Sequence, residues 1–341
     1  MVEVTENVNE YEWKKFLYMC DDATIYHTPE WKQFLEKTFD YKPKYLFAKD
    51  ECGNIVGLLA LFYVRSKLRG NMLCTMPFTY SSSCIGSEDV RNLLLEEGIN
   101  LYHGLNAGCI EIRGKVNHDK FHIQKLFCVH TIELSTHPSE VWQKISRGAR
   151  SSTKKPIKHG VKVYSTKDIK ELKSFFELNC TTKKRIGVPS HPWKFFKNLF
   201  ELMNEYVVLY VAKYNNEIIA GGIFEYFKDT VTFGYAAHNP NHLSLRPNNI
   251  LVWKSIEDAC VNNYKYYSFG RTSYDNKGLM TFKERWGAVE TELYYSYYPD
   301  IPNQFLMKRD KIQYKVGTKI FREMPIQLYK PCSSVLFQHL Y

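Results

Sequence analysis

One short stretch carries two basic side chains at positions suited to chemistry. Ser268-Phe269-Gly270-Arg271-Thr272-Ser273 follows a strand that ends near Tyr267. Arg271 comes directly after that strand end, the usual place for a site residue in an α/β unit. Its guanidinium offers a forked contact to phosphate or carboxylate. Gly270 permits a backbone turn that a β-branched residue would resist. A helix is then expected over Asn276–Trp286, with the pair Phe282-Lys283 close to its start. Phe282 and Trp286, four apart, also suit a core position.

Elements must hold that stretch in place. Tyr45–Phe62 reads as strand, turn, strand, and so does Leu209–Tyr226. A constant shift of 164 residues pairs Ala48 with Ala212, Lys49 with Lys213, Ile55 with Ile219 and Gly57 with Gly221. The same shift lays Trp31–Leu35 over Phe195–Leu199, each helix opened by a proline, Pro29 or Pro192. Helix and hairpin keeping step at one offset point to duplication. The second copy continues with a strand at Val231–Ala237, a helix at Pro247–Asn263 and a strand at Glu292–Tyr298. The fold expected is α/β (α+β), with mixed, mostly antiparallel sheets flanked by helices. The basic run Arg147–Lys158 reads as the seam between the halves, and as either a solvated face or a phosphate-facing patch.

The rest of the chain excludes several classes. Its 341 residues, 44% hydrophobic and 15% aromatic, allow a sizeable core and argue against global disorder. The formal charge of +10 attracts polyanions such as nucleic acid, an anionic membrane face or phosphorylated small molecules. The acidic N-terminal stretch lacks an apolar run, so no secretory signal is expected, and no run of about 18 apolar residues could span a bilayer. Nine cysteines without a CxxC fit reduced thiols in a cytoplasmic protein. His118 and His122 lack the glutamate of a zincin helix, and Pro240 separates His238 from His242, so no metal site is expected. Walker, GxGxxG and GxSxG motifs are absent, which removes support for covalent serine catalysis.

SFGRTS at 268–273, GLMTFK at 278–283, RWGA at 285–288 and LYYSYY at 293–298 together resemble the signature of the Fem-like aminoacyl transferases, a branch of the GNAT superfamily. Trp31, Gly53 to Leu59, Met76-Pro77-Phe78, Arg185 with Gly187 and Pro189, and Pro247-Asn248-Asn249 with Trp253 resemble further parts of that family. Ser268 stands where the family usually has Asp, Thr272 where Ser is usual, and Ser81-Ser82 where many relatives have a Gly pair.

The resemblance implies two tandem GNAT-like domains. These are residues 1–145, completed by a returning segment 300–341, and residues 146–299 carrying the acyl-transfer signature. It implies an N-acyltransferase that moves an aminoacyl group from aminoacyl-tRNA to an amine of a cell-wall peptide precursor, without a covalent enzyme intermediate. Lys283 would stabilise the oxyanion. Arg185 and Arg271 would bind acidic substrate groups, and Tyr235, Tyr274, Trp253 and Phe282 would line the cleft. Lys37, on the helix after Trp31, stands near the basic position of relatives with nucleotide-linked acceptors. No cofactor is implied beyond the co-substrate. The partners expected are charged tRNA and a nucleotide- or lipid-linked envelope precursor, with peripheral association at the inner membrane face. An alternative donor is acyl-CoA, with a sugar or amino-acid acceptor in envelope assembly. Its pyrophosphate loop is poorly matched by the run Arg65 to Gly70. A third reading is a non-catalytic binding protein on this fold.

Overall fold

The computed structural model describes residues 2–68, 70–300 and 312–340. The first part of the chain forms β1 (Glu3–Thr5), α1 (Glu10–Met19), α2 (Pro29–Phe39), β2 (Lys42–Lys49), β3 (Ile55–Ser66), β4 (Gly70–Thr75), α3 (Glu88–Gly104) and β5 (Ile110–Ile112). Then come β6 (His122–Glu133), α4 (Pro138–Lys144), α5 (Arg147–Lys158), β7 (Lys162–Thr166), α6 (Ile169–Ile186), α7 (Trp193–Leu202), β8 (Val207–Tyr214), β9 (Glu217–Phe227) and β10 (Thr230–His238). The last elements are α8 (Pro247–Val261), β11 (Tyr266–Ser273), α9 (Lys277–Glu284), β12 (Val289–Tyr298), α10 (Ile312–Glu323) and α11 (Ile326–Phe337).

The described residues divide into two compact units. Those up to Leu126, from Leu293 to 300 and from Val335 onward form the first; Phe127–Glu292 and Ile312–Ser334 form the second. In the first unit the strand order is β1-β2-β3-β4-β5-β12, and in the second it is β7-β8-β9-β10-β11-β6. The pairing pattern repeats. Each run is antiparallel until its fourth and fifth strands, β4/β5 or β10/β11, which pair parallel. The sixth strand, β12 or β6, then pairs antiparallel with the fifth. This is a duplicated α/β architecture with mixed, mostly antiparallel sheets.

The two hairpins agree in their elements and differ in their turns. Ala48 faces Gly57 and Lys49 faces Ile55 across a five-residue loop, whereas Ala212 faces Ala220 and Tyr214 faces Glu217 across a two-residue turn. Asn215 and Asn216 both take positive φ, as a tight hairpin turn requires. Both hairpins carry a register irregularity at the same place, between Ala48 and Lys49 and between Ala212 and Lys213.

Local chemistry sets the helix ends. Thr28 caps α2 by accepting from the Trp31 N–H, and Pro29 occupies its first turn. The helix buries Trp31, Phe34, Leu35 and Thr38, while α7 buries Phe195, Phe196 and Leu199 behind Pro192. Gly187 ends α6 in the left-handed region at φ 85°. A Cβ there would meet the Thr318 carbonyl oxygen at 2.4 Å, so the helix end packs against α10 only as glycine.

Two domain boundaries differ from those expected. The cut at 145/146 falls inside the second unit, because residues 127–133 of β6 are laddered to β11. Of the returning segment 300–341, residues 301–311 lie outside the described residues. Ile312–Ser334 group with the second unit: Lys184 Nζ donates to Arg322 O at 2.7 Å and Tyr329 Oη to Val188 O at 2.7 Å. From Val335 onward the chain groups with the first unit, where Tyr41 Oη donates to Gln338 O at 2.8 Å. The run 147–158, expected as the seam between the halves, lies inside the second unit as the helix α5, capped by Ser146, with Pro156 in its last turns.

Candidate active site

β10 and β11 part company. They pair only from Thr230–Thr232 against Tyr266–Ser268. Beyond that point β10 continues to His238 on β9, and β11 continues to Ser273 on β6. Each strand is left with one edge free of a strand partner among the described residues, and such an edge offers peptide N–H and C=O groups to a ligand. Two irregularities sit at the fork. Gly234 is the extra residue opposite β9, between Phe233 and Tyr235. In β11 the register shifts between Ser268 and Arg271, and Gly270 takes φ 63°. Ser268 Oγ accepts from the Gly270 N–H at 3.2 Å and so supports this bulge. The expected strand end at Tyr267 is therefore a bulge, and β11 runs on through Arg271.

Lys283 is anchored at the same bulge. Its Nζ donates to Gly270 O at 2.7 Å, and the residue is 3% exposed. Lys283 stands in the last turn of α9 rather than near its start, because the helix begins at Lys277, capped by Asn276. There the C-terminal end of the helix dipole favours a cation. α9 buries Met280 and Lys283 together, so the charge lies on the apolar side of its helix. Burial lowers the ammonium from its usual 10.5 to about 8. An ammonium has three donors, and Gly270 O takes one, which leaves two for a ligand. α9 has no counterpart in the first unit, where no helix intervenes between β5 and β6.

Around Lys283 the second unit gathers groups that the sequence did not point to. Cys128 and His130, two apart on β6, are both fully buried. Cys128 Sγ lies 4.0 Å from His130 Nδ1 and donates to Thr272 O at 3.6 Å. His130 Nε2 is 3.9 Å from the Glu290 carboxylate. Burial, then the Lys283 charge, holds His130 below its usual value, so the imidazole is neutral near pH 7. Burial, then Glu290, raises the Cys128 thiol. One ligand atom from each of Cys128, His130 and Glu290 falls within 4.8 Å of the others, a donor set that suits zinc. The ammonium of Lys283, within electrostatic reach of His130, opposes a dication there.

The other expected residues fall in several places. Arg185, exposed in the last turn of α6, donates through Nη2 to His238 Nε2 at 2.9 Å, at the end of β10. That nitrogen accepts, and the Nδ1 of the same ring lies 3.2 Å from Asn248 Nδ2. Burial, then Arg185, keeps His238 below its usual value. Arg185 is thus positioned at the open end of the fork, where α8 begins. Arg271 is exposed on β11, with its guanidinium 4.4 Å from the Phe127 ring centroid. Tyr235 packs edge-on against His191, Phe195 and Phe196, and burial holds its phenol well above 10. Trp253 packs 4.4 Å from Trp142, and Phe282 packs toward Phe269 and Trp286; both border the second-unit core. Tyr274 is half-buried just past β11. Lys37 lies in the first unit, exposed on α2.

Residues 141–284 match the acetyltransferase (GNAT) domain family. The second unit carries a GNAT acetyltransferase domain. This GNAT domain holds the fork, Lys283 and Arg185 in one continuous match. Solved structures agree at the level of fold. A crystal structure of FemX aligns with a TM-score of 0.72 and 14% identity, covering 89% of this chain and 98% of FemX. The C-terminal domain of a putative lysylphosphatidylglycerol synthetase from Agrobacterium fabrum aligns at 0.59 and 10% identity, covering 91% and 96%. A tandem GNAT protein from the clavulanic acid biosynthesis pathway aligns at 0.55 and 8% identity, covering 87% and 98%. No curated protein matches the chain in sequence. No described helix is long and apolar enough to cross a membrane.

Proposed function

We propose that the GNAT domain transfers an aminoacyl group from aminoacyl-tRNA to an amine on an envelope precursor, with Lys283 stabilising the tetrahedral oxyanion. The observation that carries the reading is a buried ammonium with two unspent donors at the fork between β10 and β11. The amine attacks the ester carbonyl, the C–N bond forms as the carbonyl oxygen gains charge, and Lys283 donates to that oxygen. Collapse breaks the ester C–O bond. The amine proton leaves, and the ribose oxygen of the donor is released as a hydroxyl. The acyl ester is already activated, so a covalent enzyme intermediate is not required. Holding both substrates in register supplies most of the remaining acceleration. Arg185, at the open end of the fork, is placed to meet an acidic substrate group. The FemX and lysylphosphatidylglycerol synthetase folds support an envelope-directed acceptor.

The donor is tested by offering charged tRNAs and acyl-CoAs separately, with amine acceptors, and following acyl incorporation by mass spectrometry. Transfer from charged tRNA is expected. Transfer from acyl-CoA alone would contradict the donor assignment.

The pH dependence carries a definite sign. Lys283 is charged below about 8 and neutral above it. Turnover that needs the ammonium should therefore fall as pH rises through about 8, measured under single-turnover conditions. Stability runs the other way. Between about 8 and 10.5 the unfolded chain binds the proton more tightly, so the penalty of burying the charge, fully present below 8, is relieved as pH rises. Urea unfolding at a series of pH values should show this rise, and Lys283→Met should abolish it.

A further inference from the structure

The positive charge of the chain is concentrated in one place. Residues 141–167 contain eight Lys and Arg and no Asp or Glu, against a net charge of +10 for the whole sequence. α5 explains where these charges go. It buries Ala149, Thr153 and Pro156 on one side and presents Arg147, Arg150, Lys154, Lys155 and Lys158 on the other. With Arg246 these five line a groove of about 660 Å³ within the second unit. Its remaining lining includes the hydroxyls of Ser151 and Ser152 and no carboxylate. None of the six cations makes an ion pair among the described residues, in contrast to Lys254, which lies 2.9 Å from both Glu257 and Asp258. Arg246 caps α8 from the left-handed region without a side-chain bond to the helix. The positive end of the α8 dipole therefore faces the same groove.

Six unneutralised cations repel one another, and a polyanion relieves that repulsion. The row along α5 is roughly 17 Å long for its twelve residues. A single diphosphate is too short to reach all of it. A bilayer surface is flat, whereas Arg246 stands on a different element from the α5 row, so the cations flank a concavity. A continuous sugar-phosphate backbone fits both the length and the shape. The groove also borders the site. β10 ends at His238 and the chain reaches Arg246 through a short 3-10 turn, so the Arg246 end of the groove lies beside the open end of the β10/β11 fork.

We infer that the α5–Arg246 groove binds the phosphate backbone of RNA, and that it holds the tRNA body while the aminoacyl end enters the fork. This rests on the aminoacyl-tRNA reading above. The test measures binding of deacylated tRNA to the full chain by fluorescence anisotropy over a range of salt concentrations. The wild type is compared with Arg150→Glu/Lys154→Glu/Lys158→Glu and with the corresponding triple glutamine variant. Lys154 and Lys158 are exposed and Arg150 is half-buried, and unchanged thermal unfolding verifies the fold of each variant. The glutamate variant is expected to bind about 100-fold more weakly at low salt. Both variants should lose about three from the slope of log affinity against log salt. Wild-type tRNA affinity in both variants, with transfer from charged tRNA intact, would overturn the groove and leave the donor reading standing. Failure of the wild type to bind tRNA, with transfer from acyl-CoA alone, would overturn both. Capture by phosphatidylglycerol vesicles that tRNA does not displace would assign the groove to a lipid surface instead.

Discussion

Lys283→Ala is expected to lower turnover about 10²–10³-fold, the cost of removing one oxyanion donor from a preorganised site, while leaving KM for the acceptor little changed. The argument is electrostatic. A lysine that is 3% exposed and bonded to a single carbonyl sits at a net disadvantage in the folded state, which its lowered value of about 8 reflects. Such a group is retained at a functional site more readily than in a core. Charge that develops on a substrate oxygen beside it meets a donor already desolvated and oriented by Gly270 O, so little reorganisation accompanies the reaction. A loss in kcat and kcat/KM together identifies an interaction made in the transition state. Lys283→Met serves as the fold control, because it keeps the buried volume and removes only the charge.

The largest stability effect is expected from Trp286→Ala, about 3–5 kcal/mol, read from urea unfolding. Trp286 is fully buried in the second-unit core, directly after the last turn of α9. Its ring lies 6.2 Å from Phe282. The indole N–H is buried without a hydrogen-bond partner, which is costly in itself. Trp286→Phe, which removes that donor and keeps an aromatic ring, should therefore cost much less than Trp286→Ala. The denaturant midpoint should shift with little change in slope if only stability changes.

Residue patterns reveal some of this arrangement and conceal the rest, for physical reasons. The hairpins and the proline-opened helices were legible because apolar periodicity and turn residues act locally. The exposed position of Arg185 and the burial of Lys283 were not. Residue pattern alone puts Lys283 near the start of its helix, whereas the cap at Asn276 places it in the last turn, on the buried side. Only the β6–β11 ladder, which joins residues about 140 positions apart, brings Cys128 next to Thr272 and His130 to the same stretch of β11. Two side chains at a spacing of two on a strand say nothing until that partner is known. The β10/β11 fork was equally hidden, since it depends on where a parallel pairing stops. Ser268 departs from the Asp that the family resemblance implies at this position, and its role is local. A hydroxyl oxygen accepts from the Gly270 N–H, which a carboxylate could also do, so the exchange preserves the bulge that presents Gly270 O to Lys283.

The central claim is that a buried ammonium at the fork drives acyl transfer from charged tRNA. The most direct measurement is the single-turnover rate of that transfer between pH 6 and 10 for the wild type and for Lys283→Ala. The account predicts a wild-type rate that falls above about pH 8, and a variant rate that is far lower and lacks that fall. A variant that retains the wild-type rate and the same pH profile would contradict it.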